Sequence, residues 1–421
     1  MYKEITRCRI CGNSELIPIL HLGNQYLTGV FPKTKSEHIT CGPLELLKCQ
    51  EDKEGKHCGL VQLRQSYDLN EMYGQNYGYR SGLNQSMVNH LHQLVKKILD
   101  YVSLGPEDII VDIGSNDATL LKAYPMLGEI LVGMDPTGVN FREYYPDYVQ
   151  LIPDFFSREF FQMKFGNRKA KVITSIAMFY DIEEPLNFMQ QIRDILHDEG
   201  VWVFEQSYMP AMLEATAYDT ICHEHLEYYR LKQIKWMTDR VGLKIIDVEF
   251  NTVNGGSFAV MAAKDTAPFP SQENILEKVL QGEEKKGFPT LKPYRDFGLR
   301  VYQHRDELRD FIKRVRSDLK LLIGYGASTK GNVILQLCNF SESDIPFVAE
   351  VNKDKFGCFT PGTGIPIISE AEAKALKPDY LMILPWHFRD NILTREKKFL
   401  ESGGRLLFPL PKIETVELIL K

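Results

Sequence analysis

The stretch Ile109-Ile110-Val111-Asp112-Ile113-Gly114-Ser115-Asn116-Asp117-Ala118-Thr119-Leu120-Leu121 decides the fold. Its apolar beginning predicts a buried strand, Gly114 opens a turn, and the residues from Thr119 onward are expected to begin a helix. Such a turn lets a ligand approach the backbone closely and directs the amides at the start of a helix toward it. The candidate cofactor-binding residues of this turn are Asp112, Gly114, Asn116 and Asp117.

A second apolar strand follows at residues 130–134 and ends in Asp135. An acid at this position can bind the two hydroxyls of a ribose, so the spacing predicts an adenosine-type ligand. The dinucleotide fingerprint is absent, because Asn116 and Ala118 stand where G-x-G-x-x-G requires glycine. The pattern D-I-G-S-N-D resembles instead the first motif, D-x-G-x-G, of class I S-adenosylmethionine-dependent methyltransferases.

Later segments fit the same α/β fold. In such a domain Asp154 and Phe155 would flank the adenine. The pattern predicts a fourth strand at 171–179, a helix at 185–196 and a fifth strand at 200–205. Two further strands, 243–250 and 258–263, would close the sheet as a hairpin around residues 254–257.

The N-terminal region carries two pairs of cysteines, Cys8 with Cys11 and Cys49 with Cys58. Four thiolates on two short loops suit a closed, tetrahedral structural Zn²⁺ site. The wide spacing of the second pair leaves His57 or Cys41 as a possible replacement ligand. Free buried cysteines are the alternative.

The segment from Thr220 to Tyr229 concentrates chemistry around His223, Glu224 and His225. It follows the fifth strand, and loops at the carboxyl ends of such strands handle ligands. An acid/base loop, a salt-bridged surface loop, and a metal site with both histidines as ligands are all compatible with the residues alone.

The C-terminal part repeats the scheme of strand, glycine turn and helix, so a second Rossmann-like unit is expected. Glycines and hydroxyls at a helix start suit a phosphate or diphosphate; the alternative is a unit that binds no nucleotide. Its candidate substrate-binding residues are Gly324, Gly326, Ser328, Thr329, Lys330 and Glu350. A polar stretch at 281–289 is expected as a linker, and a long charged helix at 294–319 follows it.

Composition limits the function. The chain has 421 residues, a formal net charge of −6 and no long apolar run. We therefore expect a cytoplasmic protein, a monomer or weak oligomer, with neither nucleic acid nor membrane as a partner. The expected domains are a zinc-binding domain with a tyrosine-rich segment at 1–75, a methyltransferase domain at 76–285 and the C-terminal unit at 286–421.

Taken over essentially its whole length, the sequence resembles the sugar C-methyltransferases that act on nucleotide-linked keto-deoxysugars. The resemblance rests on C-x-x-C, P-L-E-L-x-x-C and C-G-L-V-Q-L near the N-terminus, the central D-I-G-S-N-D and H-E-H, and the C-terminal G-Y-G-A-S-T-K-G-N and P-G-T-G-I-P-I. It implies that His225 is the base with Glu224 beside it, that Tyr77 and Tyr79 line the pocket, and that the C-terminal unit holds the sugar nucleotide.

The chain departs from that family near the expected substrate. Cys222 replaces a tyrosine, Ala118 a glycine and Asn254 a histidine, and the segment Met178-Phe179-Tyr180-Asp181 replaces an Asn-Val-Leu-His type of sequence. Tyr180 and Asn254 are therefore expected to contact the substrate. These changes bear on which sugar is bound and which carbon is methylated.

The resulting expectation is C-methylation of a 4-keto-deoxysugar carried on a dTDP-type or GDP-type diphosphate, at carbon 3, as a step of deoxysugar biosynthesis. His225 would remove the proton next to the ketone, and His223, Tyr79 or Tyr229 would donate a hydrogen bond to the enolate oxygen. The alternatives are an O- or N-methyltransferase on a sugar nucleotide, or a nucleotide-sugar binding protein without catalysis.

Overall fold

The computed structural model describes residues 2–52, 54–73 and 79–418. The strands are β1 (Lys3–Glu4), β2 (Leu16–Tyr26), β3 (Cys41–Cys49), β4 (Val61–Leu63), β5 (Gln65–Ser66), β6 (Ile109–Ile113), β7 (Ile130–Met134), β8 (Val149–Ile152), β9 (Ala170–Ile176), β10 (Leu196–Ser207), β11 (Glu227–Tyr228), β12 (Leu243–Asn251), β13 (Ser257–Lys264), β14 (Leu322–Tyr325), β15 (Val348–Glu350), β16 (Ile367–Ser369), β17 (Tyr380–Ile383), β18 (Arg405–Phe408) and β19 (Glu414–Val416). The α-helices are α1 (Leu69–Met72), α2 (Gln85–Tyr101), α3 (Arg158–Phe165), α4 (Pro185–Ile195), α5 (Met209–Glu214), α6 (Leu231–Val241), α7 (Glu273–Lys285), α8 (Lys292–Ser317), α9 (Thr329–Leu337), α10 (Glu370–Ala375), α11 (Arg389–Arg395) and α12 (Lys397–Glu401).

The central sheet has the strand order β12-β13-β10-β9-β6-β7-β8. Neighbouring strands are parallel except around β13, which runs antiparallel to both β10 and β12. Every residue of β6 is buried, as expected for a parallel strand covered on both faces. The sheet is that of a class I methyltransferase, which confirms the fold class, and the predicted closing hairpin is present as β12 and β13.

Helix α2 covers one face of this sheet. Asn84 caps it by accepting a hydrogen bond from the Ser86 amide at 3.0 Å, which satisfies one of the free amides at the helix start. Its buried residues recur at helical spacing and pack against β6, β7, β9 and β10: Met87, Leu91, Leu94, Val95 and Ile98. The amphipathic helix expected from the sequence is confirmed.

The helix expected after Gly114 is not present. Asn116 and Ala118 have φ angles of 51° and 59°, and left-handed residues interrupt a helix. Only a single 3₁₀ turn, Leu121–Ala123, follows. Pro125 ends this turn because the residue before a proline favours an extended backbone, and Tyr124 is extended. The turn therefore presents single loop amides rather than a helix start.

A small antiparallel sheet, β11-β4-β3-β2, forms the N-terminal part, with β1 paired to β5 beside it. Its edge strand β11 comes from the central part of the chain and directly follows the H-E-H segment. The C-terminal sheet has the order β16-β15-β14-β17-β18-β19 and is parallel up to β18. It has the second Rossmann-like arrangement that the sequence predicts.

The stretch expected as a linker is partly helical, because α7 continues to Lys285. A tertiary contact explains the difference. Glu283 is buried on α7, and its carboxylate accepts hydrogen bonds from the Tyr208 hydroxyl at 2.9 Å and the Leu231 amide at 2.8 Å. Among the described residues, no helix is both long and apolar enough to cross a membrane.

A substitution of Trp202 tests the packing of the core beside the central sheet. It is fully buried, its ring centroid lies 4.1 Å from that of Phe204, and its Nε1 donates to Ser175 at 3.1 Å. We expect Trp202→Ala to lower the free energy of unfolding by about 3–5 kcal/mol, because it leaves a large cavity. Urea unfolding measures this, with Met163→Ala as the control, since Met163 is 81% exposed. Equal midpoints for the two variants would contradict the assignment.

Candidate active site and zinc centre

The four predicted cysteines come together. The Sγ atoms of Cys8, Cys11, Cys49 and Cys58 all lie within 4.8 Å of one another. The Cys8–Cys58 and Cys11–Cys49 distances are each 3.5 Å, close to the sulfur separation of about 3.8 Å that tetrahedral Zn–S bonds produce. Two N–H groups, of Leu60 and Asn13, point at the sulfurs of Cys58 and Cys49. The donor set fits a structural Zn²⁺.

Neither alternative ligand belongs to this group. Cys41 is exposed at the other end of β3. His57 places its Nδ1 3.4 Å from Asp52 instead. Within the described ranges, the four cysteines are also the one set of three or more His, Cys, Asp or Glu side chains close enough to hold a metal. A metal site on His223 and His225 therefore has no third ligand there.

We expect purified protein to contain one zinc ion per chain. Cys8→Ser should lose that zinc and lower the melting temperature, because metal binding contributes directly to the folding of such a small sheet. Cys41→Ser is the matched control, since it removes a thiol outside the group. Atomic absorption and thermal unfolding measure both effects, and full zinc occupancy in Cys8→Ser would reject the ligand set.

The glycine turn is held by side-chain bonds. Asp135 follows β7, and its Oδ2 accepts the Asn116 amide at 2.8 Å. The Asn116 side chain bonds the backbone of Ser81 and of Tyr79, and Asp117 accepts the Gly82 amide at 2.9 Å. The segment before α2 therefore packs onto the turn and forms one wall beside it.

The other predicted cofactor-binding residues lie in or beside the turn, or after β8. Gly114 has a φ of 74°, and a Cβ there would lie 3.1 Å from the Met178 side chain, so the turn requires glycine. Asp112 is buried and accepts the Thr174 hydroxyl at 2.5 Å. Burial raises the pKa of Asp112 to about 7. Phe155 is exposed after Asp154 and meets the ring of Tyr73 edge-on at 6.4 Å.

His225 is the one member of the segment 221–230 that is not fully buried. Its Nδ1 lies 2.7 Å from the Thr220 carbonyl oxygen. A carbonyl only accepts, so Nδ1 carries the proton and Nε2 has a free lone pair. Burial, followed by the charge of Lys330, lowers the pKa of His225 to about 3. Tyr180 packs edge-on against the imidazole, with ring centroids 4.4 Å apart.

The other candidates of the segment face different surroundings. His223 is fully buried, with its Nε2 3.1 Å from the Gln25 carbonyl oxygen and its ring against Tyr67. Glu224 contacts the Thr28 hydroxyl at 3.4 Å, and burial raises the pKa of its carboxyl group. A Cβ on Gly29 would lie 2.5 Å from the Glu224 carboxylate.

The tyrosines predicted for the site lie in different environments. Tyr229 is fully buried and stacks on Phe179, with centroids 5.5 Å apart. Tyr79 is 49% exposed at the wall formed by the segment before α2. Tyr77 lies outside the described residues.

In the C-terminal glycine turn, several of the predicted substrate-binding residues stabilise the turn itself. Ser328 caps α9 by accepting the Gly331 amide at 3.0 Å, and Glu350 accepts the Ala327 amide at 2.8 Å. Gly326 has a φ of 85° and Gly324 packs against Val348. Thr329 and Lys330 face other parts of the chain. A Cβ on Gly29, in the N-terminal part, would lie 3.6 Å from the Thr329 hydroxyl, and the Lys330 ammonium donates to the Asn254 carbonyl, in the central part, at 2.8 Å.

Three residues that lie where the C-terminal part meets the central part were not predicted: Asp219, Trp386 and His387. Trp386 donates its Nε1 to the buried Asp219 at 2.7 Å, and a Cβ on Gly255 would lie 3.1 Å from the Trp386 ring. His387 follows Trp386, and burial, helped by Lys330, lowers its pKa well below the usual value. A signal was available in the sequence, because Trp386 and His387 come directly after β17, at the carboxyl end of a parallel strand.

Comparisons with known proteins find similar sequences along most of the chain. A methyltransferase domain model matches residues 87–248, a C-methyltransferase C-terminal domain model matches 252–411, and a zinc binding domain model matches 8–73. The C-methyltransferase NovU of Streptomyces niveus is 29% identical over 414 residues, covering 97% of this chain and 96% of that protein. The solved CcbJ methyltransferase of Streptomyces caelestis aligns with a TM-score of 0.33 at 11% identity, covering 41% of this chain and 89% of its own.

Fold and motifs define a class I methyltransferase whose cofactor is S-adenosylmethionine. The three matches follow one another along nearly the whole chain. Together with the similarity to NovU, the three matches support an S-adenosylmethionine-dependent C-methyltransferase with a zinc-binding domain, a methyltransferase domain and a C-methyltransferase C-terminal domain.

Proposed function

We propose that this enzyme methylates carbon 3 of a 4-keto-deoxysugar linked to a nucleoside diphosphate, with His225 as the base. The observation that carries the proposal is the state of His225. Its Nδ1 is fixed by the Thr220 carbonyl, its Nε2 is unprotonated, and it is the accessible member of an otherwise buried segment.

A carbon atom becomes a nucleophile when a neighbouring ketone stabilises the carbanion left by loss of a proton. Nε2 of His225 would take that proton, and the electrons of the broken C–H bond would form the enolate. When held beside residues 112–117 and Asp135, S-adenosylmethionine would supply the electrophilic methyl group for the enolate carbon, and the electron pair of the carbon–sulfur bond would stay on its sulfur. His225 must therefore be neutral before the reaction, and its lowered pKa provides this state.

The developing enolate oxygen needs a positive or hydrogen-bonding partner. We assign this role to Lys330, whose charge already acts on His225, with Tyr79 as a second donor. His223 and Tyr229 suit the role less well. His223 is bonded to Gln25, and Tyr229 is stacked within the core. Glu224 would order the loop between Thr28 and the base rather than exchange protons.

The two glycine turns would hold the two reactants on either side of this base. Residues 112–117, Asp135, Asp154 and Phe155 surround the position of the cofactor. Thr329, Lys330 and the amides after Gly326 would hold the diphosphate, and Asn254 and Tyr180 would contact the sugar. The contact between Lys330 and the Asn254 carbonyl brings the C-terminal domain to the methyltransferase domain at this point.

The proposal is tested by His225→Asn, which keeps a similar shape but removes the basic nitrogen. We expect loss of methylation, by roughly a factor of 100 or more, together with loss of solvent-deuterium exchange at the carbon next to the ketone. His38→Asn, an exposed histidine elsewhere, should leave both unchanged. Exchange at the wild-type rate in His225→Asn would show that another group is the base. Carbon NMR of the product distinguishes methylation at carbon from methylation at oxygen or nitrogen.

Lys330 should set the pH range of the enzyme. Protonated His225 cannot accept a proton, so kcat/KM is lost as the pH falls through the pKa of His225, which burial and Lys330 hold near 3. Lys330→Met removes one of these two causes and should move the acidic limb of the profile to higher pH.

The matched control for this shift is Lys397→Met, because Lys397 is exposed on α12. Profiles of kcat/KM from about pH 2.5 to pH 9 cover the acidic limb of both variants and of wild type. An acidic limb at the same pH in Lys330→Met and wild type would exclude this electrostatic effect.

A further inference from the structure

The zinc loops and the H-E-H segment form one hydrogen-bonded unit. Strand β11 pairs with β4, the strand that follows Cys58, with Glu227 opposite Gln62 and Tyr228 opposite Val61. The Leu63 amide also donates to the Leu226 carbonyl at 2.8 Å. The residue directly after His225 is therefore already part of the N-terminal sheet.

The first zinc loop contacts this strand through a buried ion pair. Arg9 lies between Cys8 and Cys11, and its Nε is 3.6 Å from the Glu227 carboxylate. The two side chains are 3% and 0% exposed. Within the described residues the Glu227 oxygens have no hydrogen-bond partner. Burial raises the pKa of this carboxyl group well above its usual value, and Arg9 is the neighbouring cation that opposes the shift. Arg9 also donates to the Leu63 carbonyl at 2.5 Å, which fixes its position.

The second zinc loop contacts the segment a few residues later. The Cys58 carbonyl accepts the Gln233 side-chain amide at 2.7 Å, and the Gln233 oxygen accepts the Arg230 amide at 3.0 Å. Glu51, two residues after Cys49, pairs with the Arg230 guanidinium and with Lys232 at 2.6 Å. Both zinc loops thus contact the residues that follow His225 in the chain.

We infer that Glu227 and Gln233 are positioning residues that hold His225 in place against the zinc-binding loops. The inference rests on the proposed role of His225 as the base. The zinc ligands hold the two loops, and the loops hold residues 226–233. Because His225 directly precedes these residues, its backbone is held as well. The cofactor turn is held by its own bonds from Asp135 and Ser81. We therefore expect the affinity for the cofactor not to depend on the contacts between the zinc loops and residues 226–233.

The test uses the full-length zinc-loaded protein with Glu227→Gln, which removes the charge but keeps the shape. Gln233→Met is a second variant that breaks the bond to Cys58 in case the first fails to fold. Lys235→Ala is the matched control, because Lys235 lies on the same helix and pairs only with Asp239 among the described residues. Four quantities are measured: bound zinc, affinity for S-adenosylhomocysteine, kcat, and amide-hydrogen exchange of the peptide 222–230.

We expect both variants to keep their zinc and their affinity for S-adenosylhomocysteine. Their kcat should fall roughly tenfold to a hundredfold, because a small misplacement of the base is costly. Amide exchange in 222–230 should become faster. Glu227→Asp, which restores the charge, should recover part of kcat, whereas a general loss of packing would not respond to charge.

Coupling between two sites is reciprocal. At equilibrium with a competing chelator, the two variants should therefore bind zinc more weakly than wild type and release more of it, with an affinity lower by about fivefold or more. Unchanged exchange and unchanged zinc release in both variants would overturn the inference. The exchange and zinc-release results do not depend on the identity of the base, so a wild-type turnover in His225→Asn would reject the proposed function while leaving this coupling to be judged separately.

Discussion

The pairing of residues 226–228 with strand β4 is the constraint on which the site depends. A two-residue strand has little stability of its own. It persists here because the N-terminal sheet supplies backbone partners and because Arg9 lies against Glu227. Without that edge, the loop after β10 would be a long connection with polar residues and no fixed course. The N-terminal sheet thus holds the H-E-H loop in place, although it lies far from it in sequence.

The sequence predicts each element with a strong local signal. Strand β6, the Gly114 turn and the amphipathic pattern of α2 depend on short-range periodicity, and the C-x-x-C spacing indicates a metal loop by itself. The missing helix after Gly114 shows where such reasoning ends. Whether Asn116 becomes left-handed depends on its side chain bonding Ser81, a residue 35 positions away. That contact exists only after the fold has formed.

The site residues also divide into those with a local sequence signal and those whose grouping depends on the fold. His225, Lys330 and the cysteines could be named from motifs, because their residue types are rare in those patterns. Trp386 and His387 carried only the weaker signal of lying after a parallel strand, and their grouping with Asp219 could not be predicted, since it depends on how the C-terminal sheet packs on the central one. His223 shows the opposite case. It is conspicuous in sequence as a partner of His225, yet the chain turns at His223 and Glu224, where the His225 amide donates to the Cys222 carbonyl at 3.3 Å, and His223 contacts Gln25 and Tyr67 instead.

Electrostatics explains why a buried loop can carry so many ionisable groups. Asp181, bonded to the Tyr73 hydroxyl at 2.8 Å, and Glu224 both have pKa values raised by burial, and His225 has its pKa lowered by the same cause. Each group is pushed toward its neutral form, which is the inexpensive form in a low-dielectric site. A neutral imidazole can accept a proton, whereas a neutral carboxyl group can only donate a hydrogen bond or order its neighbours. In the proposed mechanism, burial therefore favours the histidine as the base among these three groups.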